Sequence, residues 1–164
     1  MKLVSISLSP NTEKDDVLLA LKELFSFKKI KGKEIKEFEN NLKKYFGFNH
    51  VFSLNSGRSS LMVILEALDV KEGDEIIVQA FTCNAVINPI TQRGATPIYV
   101  DVDDTLNIDV SQIEDKIGKN TKAIIIQHTF GMPANISAIK EIAEKHKLIL
   151  IEDCAHALGA KYNG

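Results

Sequence analysis

Tryptophan is absent, and cysteine occurs only at Cys83 and Cys154. Two such separated thiols make neither a disulfide framework nor a C-x-x-C pair, which argues for a reduced, cytoplasmic setting. Neither sign of charge dominates: 20 Lys and Arg stand against 22 Asp and Glu. A net charge of −2 gives no support to electrostatic nucleic-acid binding. No apolar run approaches the roughly 20 residues a membrane helix needs. The N-terminus, M-K-L-V-S-I-S-L-S-P, lacks the longer apolar core of a signal peptide. His50, His128, His146 and His156 show no metal-site spacing, so no metal is expected. Also missing are G-x-G-x-x-G after a strand, G-x-x-x-x-G-K-[ST] and the G-x-S-x-G elbow. The common nucleotide-binding and serine-nucleophile readings of an α/β chain therefore have no support.

What is present is apolar patterning, at 45% hydrophobic residues. Residues 1–10 read as extended. Thr12 is placed to cap a helix carrying Val17, Leu18, Leu21, Leu24 and Phe25 on one face. A basic connector, Phe27–Lys33, leads to a second amphipathic helix with Ile35, Phe38, Leu42, Tyr45 and Phe46, ended by Gly47. Strand and helix then alternate. Strands are expected at Val51–Leu54, Glu75–Val78, Thr96–Val100, Ala123–Ile126 and Leu148–Ile151. Helices are expected at Gly57–Leu68, Thr82–Arg93 (with Pro89 kinking or shortening it), Asp109–Ile117 and Pro133–His146. The alternation predicts an α/β fold, a mostly parallel sheet with helices on both faces. Residues 1–30 read as an N-terminal extension and helix, and 31–164 as part of one larger domain.

Three strand ends carry polar chemistry. In L-I-L-I-E-D-C-A-H-A-L-G-A (Leu148–Ala160), an apolar run meets Glu152 and Asp153. Successive strand residues point to opposite faces, so only one carboxylate can aim at a given site. Asp153 alone reads first as a helix N-cap, and His156 alone as a hydrogen-bonded structural histidine. In S-G-R-S-S-L (Ser56–Leu61), Gly57 permits a tight turn. The amides of Arg58 and Ser59 would meet an anion at a helix N-terminus, with Arg58 adding charge. Alone, that segment reads as a plain serine cap. In F-T-C-N (Phe81–Asn84), an aromatic ring could stack on a flat ligand or simply cover the core. An anion cradle, a stacking face and a carboxylate together suit a phosphorylated, basic planar heterocycle such as pyridoxal phosphate.

With these segments in order, the chain resembles the DegT/DnrJ/StrS-type aminotransferases. The resemblance runs from about Lys31 onward. It rests on F-E-N-N-L-K-K-Y-F-G (Phe38–Gly47), S-G-R-S-S-L, G-D-E-I-I-V (Gly73–Val78) and G-A-T-P-I-Y-V-D-V-D (Gly94–Asp103). N-I-D (Asn107–Asp109), H-T-F-G-M-P-A (His128–Ala134) and I-E-D-C-A-H-A-L-G-A complete it. It implies the large domain of a type I pyridoxal-phosphate enzyme that aminates a keto-sugar, commonly nucleotide-linked, with an amino-acid donor such as glutamate. By resemblance, Asp153 pairs with the pyridine nitrogen, and His156 stands near the ring hydroxyl. Gly57, Arg58 and Ser59 hold the phosphate, where many members have Gly-Thr-Ala. Cys83 occupies the ring-stacking position, which leaves Phe81 as the alternative.

Members are mostly homodimers. The family's Schiff-base lysine and its small C-terminal domain lie downstream of these motifs. The chain is therefore expected to be an N-terminal fragment, inactive alone, with an unpaired edge where a strand-like run begins at Ala160–Tyr162. The rivals are a pyridoxal-phosphate sugar dehydratase of the same family and a non-catalytic remnant or binding module.

Overall fold

The computed structural model describes residues 12–26 and 32–163. The extended reading of residues 1–10 and the connector at 27–31 lie outside those residues. The chain forms two compact units, Met1–Ser53 and Leu54–Gly164. None of the described helices is long and apolar enough to cross a membrane.

The first unit holds helices α1 (Lys14–Leu24) and α2 (Lys33–Phe46). Glu13 rather than Thr12 is the N-cap of α1, and its backbone N–H donates to Asp16 Oδ2 at 2.8 Å. Gly47 ends α2 in the left-handed region at φ +71°, as expected of a C-terminal glycine. The strand expected at 51–54 does not form. Ser53 gives both its N–H and its hydroxyl to the Glu39 carboxylate, each at 2.8 Å, so its amide is spent on a side chain. Those two bonds hold the Glu39 carboxyl below its ordinary range.

The second unit is built on four parallel strands in the order β2-β1-β3-β4. They are β1 (Glu75–Gln79), β2 (Thr96–Val100), β3 (Thr121–Gln127) and β4 (Ile149–Asp153). Helices α3 (Gly57–Ala67), α4 (Asn84–Gln92) and α5 (Ile136–His146) complete the unit. The I-I-V and A-I-I-I runs are nearly continuous apolar sequences because the sheet is covered on both faces. Alternation along each strand sorts the residues into two cores. Ile76, Val78, Ala123, Ile125 and Ile151 pack with Leu61, Leu65, Val86 and Ile90 of α3 and α4. Ile77, Ile124 and Ile126 pack instead with Ile113, Ile139 and Ala143.

Several boundaries differ from expectation. The helix expected at 109–117 is two single 3₁₀ turns, Val110–Gln112 and Glu114–Lys116. Asp109 caps the first through bonds to Ser111, and short 3₁₀ turns of this kind are frequent connectors. Helix α5 starts after Pro133, with Asn135 Oδ1 accepting the Ala138 N–H at 3.3 Å. Residues 160–162 form no strand. Pro89 sits inside α4 and is buried there.

The strand order places the chain's reversal between β1 and β3. The chain leaves β1 for β2 on one side and returns to β3 on the other. Ligands of open parallel sheets bind beyond the carboxyl ends at such a point. The opposite end is closed by tight turns. Gly94 has φ +77°, and a Cβ there would meet Glu72 backbone and side-chain atoms at 3.2–3.3 Å. Gly94→Ala is therefore expected to cost at least about 1–2 kcal/mol from backbone conformation alone, visible as a lower thermal midpoint. An unchanged midpoint would show that this turn is not strained by a side chain.

Candidate functional site

Period-two alternation settles which carboxylate of β4 faces which way. Asp153 shares the side of Ile151, which packs under α3 and α4. Glu152 points to the other face, where it meets His128 at 3.3 Å. Asp153 and Ile151 line a cavity of about 380 Å³. Its wall also includes Gly57, Arg58 and Leu61 of α3, Ala85 and Val86 of α4, and Ile125 of β3. The expected N-cap role for Asp153 takes a different form. No helix follows among the described residues, and Asp153 Oδ1 instead accepts the Ala155 N–H at 3.0 Å in a tight turn. No hydrogen bond to Oδ2 forms among the described residues, which leaves one oxygen free for a ligand.

The loop before α3 brings the second group to the same wall. Ser56 is the N-cap, and its Oγ accepts the Ser59 N–H at 3.1 Å. The Ser59 hydroxyl lies 3.0 Å from that same oxygen. Ser59 is thus satisfied locally and does not line the cavity. The amides of Gly57 and Arg58, ahead of it, make no hydrogen bond among the described residues. The Arg58 side chain likewise has no partner there. A Cβ on Gly57 would meet nothing within 4 Å, so the space above this turn is open. A helix N-terminus with free amides and an uncommitted guanidinium favours an anion.

The remaining expected residues lie apart from the cavity wall. Cys83 caps α4, its sulfur accepting the Ala85 N–H at 3.4 Å. Thr82 donates its hydroxyl to Gln127 Oε1, tying this loop to the end of β3. Phe81 meets Phe130 edge-on at 6.3 Å, and Phe130 stacks on His156 at 5.7 Å with the rings 5° apart. Phe81 and His156 therefore belong to an exposed aromatic row. Phe130 itself adopts φ +52°, a conformation that bulky residues rarely take and that its sequence does not announce.

Sequence reasoning also missed a pair behind Asp153. His128 Nδ1 accepts the Ala134 N–H at 3.1 Å, which puts the ring proton on Nε2, facing Glu152. His128, Glu152 and Cys154 bring potential metal-ligand atoms within 4.8 Å of one another. A metal on Nε2 would move the ring proton to Nδ1, against the Ala134 N–H. The chemistry of this cluster is thus a hydrogen-bonded pair. Burial, followed by the Glu152 and Asp153 charges, pushes the Cys154 thiol up, which keeps it protonated. The 24 residues between His128 and Glu152 leave no local pattern from which to read the contact.

The open parallel α/β unit thus brings a helix N-terminus and a strand-end carboxylate to one cavity. The chain belongs to the DegT/DnrJ/EryC1/StrS aminotransferase family, whose model matches residues 11–164. It is 42% identical over 135 residues to GDP-perosamine synthase of Escherichia coli O157:H7, covering 82% of this chain and 37% of that protein. The X-ray structure of the aminotransferase from Psychrobacter cryohalolentis matches with a TM-score of 0.87 and 34% identity, over 96% of this chain and 41% of that one. The E. coli GDP-4-keto-6-deoxy-D-mannose-3-dehydratase, with bound hydrated PLP, matches with a TM-score of 0.85 and 29% identity, over 95% and 42%. The chain spans 31% to 45% of the length of the curated relatives it matches.

Proposed function

We propose that this chain is the part of a pyridoxal-phosphate-dependent sugar aminotransferase that binds the phosphate and the ring nitrogen of the cofactor. The observation that carries this reading is a single cavity lined both by Gly57 and Arg58 at the start of α3 and by Asp153 at the end of β4. The residues fit the group. Two free amides and a guanidinium suit a phosphate, and the free Oδ2 of Asp153 suits a protonated ring nitrogen. Ala85, Val86, Ile125 and Ile151 supply apolar walls for a flat ring. When bound, pyridoxal phosphate supplies an electron sink whose strength depends on a protonated ring nitrogen. Asp153 holds that proton by its charge, while its Oδ1 stays fixed on the Ala155 amide. Arg58 neutralises the phosphate, and the apolar walls exclude water from the ring faces.

Relatives named for GDP-perosamine and for a dTDP-3-amino sugar support a nucleotide-linked sugar as the substrate class. A keto-sugar acceptor and an amino acid such as glutamate as donor are proposed with it. The whole protein is proposed to act as a homodimer. A sugar dehydratase is the second reading, favoured by the close structural match to one.

In the whole protein, Arg58→Ala is expected to weaken cofactor binding. A hydrogen bond to a charged group contributes about 1.5–3 kcal/mol, or roughly tenfold to a hundredfold in affinity. Equilibrium titration with pyridoxal phosphate measures this directly. Unchanged affinity would reduce the start of α3 to a capped helix with no ligand.

A further inference from the structure

Strand β4 ends in two adjacent carboxylates that both border the cavity, and alternation puts only the Asp153 side chain on the face of α3 and α4. Nothing in the side chains themselves enforces this choice. Among the described residues β4 pairs with β3 alone, so its register is fixed from one side only. A slip by one residue would carry Asp153 away and turn Glu152 toward the cavity. The last backbone rung of this pairing is long: the His128 N–H reaches the Asp153 carbonyl at 3.4 Å, against a usual value of about 2.9–3.0 Å. The side chain of His128 supplies what the rung lacks. It is 5% exposed, and both of its ring nitrogens are engaged. Nδ1 accepts from the Ala134 amide, which anchors the ring to the chain leading into α5. Nε2 then donates to Glu152 at 3.3 Å, on the face of the sheet opposite Asp153.

We propose that His128 is a positioning residue: it holds the Glu152 side chain on the far face and thereby fixes Asp153 as the carboxylate on the side of α3 and α4. The role assigned to Asp153 rests on the cofactor reading above; the clamp on β4 does not. His128 acts through Glu152 and the strand and touches no ligand itself. Its two nitrogens have separable duties, because one anchors the ring and the other grips the strand.

Two conservative variants separate them in the whole protein. His128→Asn keeps an acceptor at the position of Nδ1 and loses the donor toward Glu152. His128→Gln keeps a donor at the position of Nε2 and loses the acceptor for Ala134. The measurements are thermal midpoint, exchange of the Ala155 amide by NMR, and affinity for pyridoxal phosphate. A crossed pattern is expected. His128→Gln lowers the midpoint more, because it orphans the Ala134 amide, yet keeps Ala155 exchange and cofactor affinity near wild type. His128→Asn keeps more of the midpoint, but speeds Ala155 exchange and weakens cofactor binding, each by about tenfold. Exchange and affinity that simply follow the midpoint in both variants, or that change in neither, would overturn the proposal. Asp153→Asn in the same titration separates the two readings. If it leaves cofactor affinity unchanged while the crossed exchange pattern holds, the cofactor role of Asp153 fails and the positioning role of His128 stands.

Discussion

If the whole protein is the proposed aminotransferase, Asp153→Asn is expected to lower its rate of amino-group transfer on the order of 10²–10³-fold, the usual effect of removing one aimed electrostatic partner. The substitution is sparing in structural terms. Asparagine retains an Oδ1 that can accept the Ala155 N–H, so the turn after β4 should persist. What disappears is the negative charge, and a neutral amide does not favour a protonated ring nitrogen as a carboxylate does. Steady-state kinetics with glutamate and a nucleotide-linked keto-sugar, paired with circular dichroism to confirm the fold, make the measurement. Activity within a few-fold of wild type would leave Asp153 with its turn-forming role alone.

The largest stability effect is expected from the centre of the sheet. Ile124 is fully buried and lies opposite Ile77 of β1 and Leu150 of β4. Its side chain packs in the core that contains Ile113 and Ile139. Ile124→Ala removes three carbons from a site with strands on both sides, where the backbone has little freedom to close the gap. A loss of about 2–5 kcal/mol follows, set against a typical total of about 5–15 kcal/mol for a domain. Urea unfolding should show a lower midpoint with an unchanged slope. A loss below about 1 kcal/mol would mean that the layer relaxes to fill the space, as some buried sites do.

The fold was legible wherever burial is two-sided or periodic. The I-I-V of β1 and A-I-I-I of β3 read as buried strands because both faces are covered, and α3 and α5 showed their apolar stripes. The faces of Glu152 and Asp153 were legible up to a choice, since alternation says that they differ but not which side chain lies on the side of α3 and α4. That choice depends on contacts with α3 and α4, distant in sequence. The segment at 51–54 misled because its apolar residues imitate a strand, while Ser53 gives its amide to Glu39. At Ser59 the residue type suits an anion, and the sequence does not reveal that its amide is already given to Ser56. The αL turn at Phe130 and the grip of His128 on Glu152 had no local signature. The first uses a residue that does not favour positive φ, and the second joins two strand ends.

The division of the sheet into two cores has a consequence for how such a chain can diversify. The apolar cavity wall from the sheet and helices, at Leu61, Ile64, Val86, Ile125 and Ile151, belongs to the side of α3 and α4. Ile113, Ile139 and Ala143 contribute only to the other side. Apart from His128 and its anchor at Ala134, sequence drift beneath α5 bears on stability, while changes beneath α3 and α4 alter the volume offered to a ligand. Descendants of one ancestral chain could exchange most of one core and keep the same ligand, or retune the ligand while the other core stays fixed. The sheet's backbone acts as a partition between a conservative compartment and an exploratory one.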